Sequence, residues 1–342
     1  MSTASPPRRS PCGPPASPRD AVAPRLLVLR ALGLGDLLTV VPALHALRGA
    51  FPGHRLVLAA PGALSDVVAA VGAVDALLPA SAPGRAVPER LDWRGPPPEV
   101  AVDLHGRDAH SLRPLLALNP GRVISYARPP APAWREREHE RARWCRLLRG
   151  HGVPADPARI GLAGPRAPSP APGAVLVHPG AEAVARRWPA ERFAVVARAL
   201  AADHRVLVTA GPGEERLGHR VAALAGLPRA AVLTGLPLAA LSSLVAEARA
   251  VLVGDTGVAH LATAHATPSV VLFGPVAPEL WGPPRSFRHR ALWHPGPGGD
   301  PRPGDPHGPE PDARLLRITV PEVLAAFDRV TSGAERDGGQ PT

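Results

Sequence analysis

A chain of 342 residues that is 45% hydrophobic but only 4% aromatic has material for two cores, built from Ala, Val and Leu rather than rings. The net charge of +10 rests on Arg alone, because the sequence holds no Lys, and many arginines stand beside acids, as in Arg135-Glu136-Arg137-Glu138. Without a basic stripe interleaved with aromatics, the charge argues against nucleic acid as a partner. No run of eighteen apolar residues occurs, so no transmembrane segment is expected. The two cysteines, Cys12 and Cys145, give neither a disulfide framework nor a metal spacing.

The first 24 residues are rich in Pro, Ser and Arg and read as a disordered tail with no secretory signal, which makes a cytoplasmic location the expectation. Surface Arg would permit peripheral contact at the inner face of a membrane. Order begins at Arg25. Leu26 to Arg30 is a short apolar run ahead of Gly33 and Gly35 and reads as a buried strand, followed by a helix over 37–50. Further strands are expected at 55–60, 74–78, 99–104 and 123–126, with helices at 65–71 and near 112–118. A charged helix is expected over 135–150. Residues 163–173, AGPRAPSPAPG, are the best linker.

A second series follows. Strands are expected at 174–178, 205–209, 231–233, 250–253 and 269–273, with helices at 189–202, 214–225, 238–247 and 258–265. Residues 282–312, rich in Pro, Gly and His, read as one long loop. His289, His294 and His307 in it are too irregularly spaced for a metal site. A last helix spans 320–332, and 333–342 reads as a disordered tail. Strands alternating with helices imply an α/β fold with two doubly wound, Rossmann-like halves, 25–165 and 173–319. Ligands of such sheets sit at the carboxyl ends of the strands, so two facing halves would share one cleft.

Three strand-to-helix junctions carry the chemistry. At the first, Gly33 and Gly35 let the backbone turn tightly beside Asp36. The third glycine of the dinucleotide fingerprint is missing, since position 38 is Leu, which disfavours a nicotinamide oxidoreductase. Asp36 can be a helix N-cap or a general base at the cleft mouth. At the second, Arg186 and Arg187 precede Trp188-Pro189. They are either solvated or a diphosphate site at a helix N-terminus, with Trp188 as core. At the third, Gly254-Asp255-Thr256-Gly257-Val258-Ala259-His260, the Thr256 and Gly257 amides suit phosphate oxygens. Asp255 is equally readable as a cap, and His260 as a helix histidine. Glu214, after Gly211-Pro212-Gly213, could accept from a ribose or face a helix dipole.

Taken together, LxLGDLLxxxPAL (Leu32 to Leu44), HPGA…RRWP (His178 to Pro189), VGDTGVAHLATA (Val253 to Ala264) and VVLFGP (Val270 to Pro275) give a chain that resembles glycosyltransferase family 9, the heptosyltransferase-like enzymes. The resemblance covers about residues 25–330. It implies a GT-B fold with the active site between two Rossmann-like domains. It further implies inverting, metal-independent transfer of a heptose-like sugar, without cofactor, from an ADP-sugar or similar nucleotide-diphosphate donor to a glycan or lipid-linked acceptor, as in lipopolysaccharide and other cell-envelope biosynthesis. Asp36 matches the family's catalytic aspartate, Thr256 and Gly257 match its pyrophosphate loop, and Asp255 and His260 match other motif positions. Arg186 stands where the family usually has Lys. The alternatives are a nucleotide-sugar epimerase on the same scaffold and a non-catalytic nucleotide-sugar-binding protein.

Overall fold

Leu26 to Leu29 are fully buried because β1 (Arg25–Leu29) runs through the middle of a parallel sheet. Such strands are covered on both faces and read as continuous apolar runs. The computed structural model describes residues 23–296 and 303–338. The expected N-terminal tail with Cys12 therefore lies outside the described residues except for positions 23 and 24, as do 297–302 and 339–342.

The first half contains β1, α1 (Leu34–Thr39), α2 (Val41–Ala50), β2 (Arg55–Ala60), α3 (Ser65–Val71), β3 (Ala76–Pro79), β4 (Val100–Asp103), α4 (Ala109–Leu116), β5 (Arg122–Ile124) and α5 (Glu140–Gly150). Its five strands are parallel in the order β3-β2-β1-β4-β5. The second half contains β6 (Val175–His178), α6 (Ala190–Leu200), β7 (Val206–Ala210), α7 (Glu215–Ala225), β8 (Val232–Thr234), α8 (Leu238–Ala246), β9 (Ala250–Gly254), α9 (Gly257–Ala264), β10 (Ser269–Leu272), α10 (Pro278–Trp281), β11 (His289–Leu292), α11 (Ala313–Leu316) and α12 (Val320–Gly338). Its six strands are parallel in the order β11-β10-β9-β6-β7-β8. Each sheet reverses its strand order once, between β1 and β4 and between β6 and β9. These are the topological switch points where doubly wound sheets hold ligands.

Several elements differ from the sequence expectation. The helix over 37–50 is two helices: α1 starts at Leu34, and the chain breaks at Val40 before Pro42 enters the first turn of α2. The charged helix begins only at Glu140, because residues 135–139 carry no apolar face. Residues 282–312 are not one loop. His289–Leu292 adds a parallel edge strand beside β10, His289 donates to or accepts from Ser269 Oγ through Nδ1 at 2.9 Å, and His294 meets Glu322 at 3.0 Å. The last helix runs on to Gly338, past the expected end at 332, and packs on α6, β9, β10 and β11.

The two halves are held together by more than the linker. Helix α1 packs on α9, α3 on α8, and α5 on α10. One apolar cluster contains Leu37, Leu44 and Val67 from the first half and Leu176, Val258 and Leu261 from the second. The linker is pinned to both, with the Ala163 amide donating to Ala70 O at 2.9 Å and the Leu162 amide to Ala264 O at 3.3 Å. Glycines allow α1 and α9 to approach. A Cβ on Gly35 would lie 2.9 Å from His260 Cδ2, and one on Gly257 2.9 Å from Leu34 Cβ.

Candidate active cleft

The helices that follow the two switch points face each other across a cavity of about 280 Å³. From the first half it is lined by Gly33, Leu34, Gly35, Asp36 and Arg85. From the second come Glu182, Arg186, Asp255, Thr256, Gly257 and His260, together with Trp281 and His307. Six of the residues singled out from sequence thus meet two others, Asp36 and Arg186, from opposite sides.

Asp36 lies in the first turn of α1, where Gly33 is the N-cap, so its carboxylate is not a cap. It is 5% exposed. Its Oδ1 accepts from Arg30 Nη2 at 3.2 Å and from Arg85 Nη2 at 3.0 Å. Among the described residues Oδ2 accepts from Arg85 Nη2 alone, at 2.9 Å. Arg85 comes from a turn at 83–85 in which Gly84 and Arg85 both have positive φ, 59° and 64°. Arg85 also reaches Glu182 of the second half at 3.8 Å, so one half-exposed guanidinium spans the gap.

The opposite wall has donors with nothing to bond. Thr256 is the N-cap of α9 but makes no capping bond, and among the described residues its buried Oγ1 has no partner, nor has the buried Arg186 Nε. Arg186 Nη1 donates to Asp255 O at 3.3 Å, and Nη2 meets Glu182 at 3.5 Å. Buried polar groups without partners in a native structure call for a ligand or water, and a helix N-terminus with an Arg beside it suits an anion. Burial pushes the Asp255 carboxyl up to about 6, reinforced by Asp36 and opposed by Arg186. Burial and then Arg141 hold the His260 imidazole down at about 4, so it is neutral at physiological pH, edge-on to Trp281 with centroids 6.1 Å apart.

Two expected site residues are not in this lining. Arg186 ends the turn at 184–186 and Arg187 follows it in extended backbone, and the two side chains find different partners. Arg187 Nε donates to Ala181 O at 2.8 Å, and Nη2 lies 3.9 Å from Glu214. Glu214 precedes α7, accepts from the Gly211 amide at 3.1 Å and sits beside His178 at 3.9 Å. Pro189 is the N-cap of α6 rather than its first residue, and Trp188 is core, 2% exposed, against Phe193. Sequence reasoning passed over Arg30, Arg85, Glu140 and Glu182. Arg30 ends the first apolar run, and a buried Arg there was the one visible signal.

Among known proteins, residues 162–295 match the family model for glycosyltransferase family 9 (heptosyltransferase). Lipopolysaccharide heptosyltransferase 1 of Pseudomonas aeruginosa is 39% identical over 114 residues, 33% of this chain and 31% of that protein, so the match spans about a third of the relative's length. The fold is similar to that of the E. coli ADP-heptose lps heptosyltransferase II (TM-score 0.72, 18% identity, 91% of this chain and 99% of that one). It is equally similar to the glycosyl transferase family 9 structure from Veillonella parvula DSM 2008 (0.72, 18%, 92% and 99%). The E. coli heptosyltransferase WaaC solved with ADP-2-deoxy-2-fluoro heptose gives 0.57 at 18% identity, over 89% and 99%. The architecture is therefore GT-B, two Rossmann-like domains.

Proposed function

We propose that the chain is a glycosyltransferase of the family 9 kind, which transfers a heptose-like sugar from an ADP-sugar to an acceptor hydroxyl in the cleft between its domains. One observation carries the reading: a carboxylate, Asp36, faces unpartnered donors on Arg186 and Thr256 at the N-terminus of α9. The diphosphate lies against the Thr256 and Gly257 amides and Arg186. The acceptor hydroxyl approaches Asp36, gives its proton to the carboxylate, and its oxygen attacks the anomeric carbon from the face opposite the nucleotide. The C–O bond to the diphosphate breaks, the nucleoside diphosphate leaves with the electron pair, and the sugar's configuration inverts. Arg186 and the amides stabilise the charge that develops on the leaving group, which is the role otherwise taken by a metal ion. Neutral His260 lines the same cleft without adding a charge near the sugar.

Arg85 occupies the carboxylate and must withdraw from Oδ2 before a hydroxyl can reach it. A partly exposed guanidinium on a turn with left-handed backbone can do so at low cost. The lipopolysaccharide heptosyltransferase relative and the ADP-heptose structures support the donor class; the acceptor is read as a hydroxyl of a cell-envelope or other glycan, and surface Arg as available to an anionic membrane face. No helix is long and apolar enough to cross a membrane among the described residues. The test is a nucleotide-sugar panel incubated with acceptor extracts and read by mass spectrometry, beside calorimetry with ADP, UDP and GDP. ADP-heptose turnover with ADP bound most tightly is expected. No sugar transfer from any donor, or no nucleotide binding, overturns the reading.

A further inference from the structure

The buried group behind Asp36 is a guanidinium clamped by an acid from the far end of the domain. Arg30 is 1% exposed, and every one of its nitrogens is committed. Nε donates to the Asp36 carbonyl at 3.1 Å, and Nη1 to Leu104 O at 2.6 Å. Nη2 donates to Asp36 Oδ1 at 3.2 Å, to Thr39 Oγ1 at 3.4 Å and to Glu140 Oε1 at 3.1 Å. One planar cation thus grips both the backbone and the carboxylate of Asp36. Glu140, 5% exposed at the start of α5, is itself fixed: Oε1 accepts from Trp144 Nε1 at 2.7 Å and Oε2 from Arg143 Nη1 at 2.8 Å. The Arg30 guanidinium lies over the Trp144 ring at 5.1 Å.

We infer that Arg30 and Glu140 are positioning residues for Asp36, holding Oδ1 so that Oδ2 is the oxygen that takes the acceptor's proton. The inference rests on the reading of Asp36 as the base. Three facts make the pair more than a stability device. Buried ion pairs are weak contributors to stability and are often replaceable by apolar side chains, so two buried Arg–acid pairs under a cleft carboxylate need another reason. The grip is asymmetric. Arg30 touches Oδ1 and leaves Oδ2, whose one hydrogen-bond partner among the described residues is the half-exposed Arg85. And α5, which supplies Glu140, packs on α10, whose Trp281 lines the cleft, so the clamp is tied to the opposite domain. Arg is the side chain for this role because its fork meets several oxygens in one plane, which a Lys ammonium cannot do.

The test is a double-mutant cycle on the intact enzyme. Glu140→Gln keeps size and hydrogen-bonding shape but removes the clamp's charge. The expected result is a fall in kcat of about 10- to 100-fold, the span found when the hydrogen-bond partner that orients a metal ligand is removed, with donor KM and ADP affinity within twofold. In the Asp36→Asn background the same substitution should change kcat less than twofold, because a positioning residue has nothing left to position. Equal losses in both backgrounds, or a loss that follows donor KM, overturn the inference while leaving the base reading intact. Full turnover by Asp36→Asn alone instead removes the base reading beneath it. Should Glu140→Gln not fold, Trp144→Phe, which deletes one bond to Oε1 and keeps an aromatic ring, goes through the same cycle with the same criteria. Arg30→Lys, which keeps the charge and loses the fork, should be no better than Glu140→Gln; wild-type kcat in it also counts against the inference.

Discussion

Gly35→Ala tests how tightly the two domains are closed at the cleft. Gly35 is the second residue of α1, and a Cβ there would lie 2.9 Å from His260 Cδ2, 3.4 Å from its Nε2 and 3.6 Å from Gly257 Cα. Ordinary carbon contacts are about 3.5–4.0 Å, so something must move by roughly 0.6–1.1 Å. The imidazole cannot swing freely, because Trp281 stands edge-on to it. Overpacking of this kind costs about 1–3 kcal/mol. Replacing Gly by Ala inside a helix returns up to about 1 kcal/mol, so the net loss is about 0–2 kcal/mol. In a His260→Ala background the clash is absent, and the same change should be neutral or stabilising by up to about 1 kcal/mol. The coupling between the two sites is therefore about 1–3 kcal/mol, and it is the quantity to measure, by urea unfolding of the four proteins with ADP affinity alongside. Nucleotide affinity should fall with Gly35→Ala and recover in part in the double variant. An identical effect of Gly35→Ala in both backgrounds would refute the close α1–α9 contact.

Arg186→Ala should weaken ADP by about 10- to 100-fold, the 1.5–3 kcal/mol of a charged hydrogen bond, as read by calorimetry; unchanged affinity would place the diphosphate elsewhere. Asp255→Asn should unfold at higher urea than wild type above pH 6 and lose that advantage below about pH 4. The Asp255 carboxyl is raised by burial to about 6 from 3.8, so the folded protein binds its proton more tightly and wild-type stability declines as pH rises through that window. The full difference is about 2–3 kcal/mol, and a pH-independent one would contradict the burial of that charge. Arg85→Gly removes the side chain over Asp36 while suiting the positive φ of 64°. Acceptor-independent ADP release should rise about fivefold, from about 1 kcal/mol for a partly solvent-screened pair; a fall would assign Arg85 another role.

Both sheets are legible because their central strands are continuous apolar runs with glycine close behind, as in Leu26 to Leu29 ahead of Gly33 and Val251 to Val253 before Gly254. The residues next to those glycines were legible for the same reason, since switch-point ligands lie at strand ends. Arg85 and Glu140 were not. They reach Asp36 and Arg30 from 49 and 110 residues away, brought there by the fold rather than by any local pattern. That Arg187 bonds to Ala181 O rather than lining the cleft beside Arg186 is set by the turn at 184–186, which a pair of adjacent arginines does not reveal. His289–Leu292 hid its strand because an edge strand needs little apolar alternation. The last helix outran its expected end because its apolar spacing stops near Val330 while the backbone continues.

The central claim is that Asp36 takes the proton from the acceptor. Its most direct measurement is single-turnover sugar transfer by Asp36→Asn, with the donor and acceptor found in the panel, beside ADP affinity by calorimetry. A general base contributes about 10²–10⁴-fold, so the rate should fall by that factor with ADP binding within twofold of wild type. Transfer within threefold of wild type would contradict the claim, as would equal collapse of transfer and nucleotide affinity.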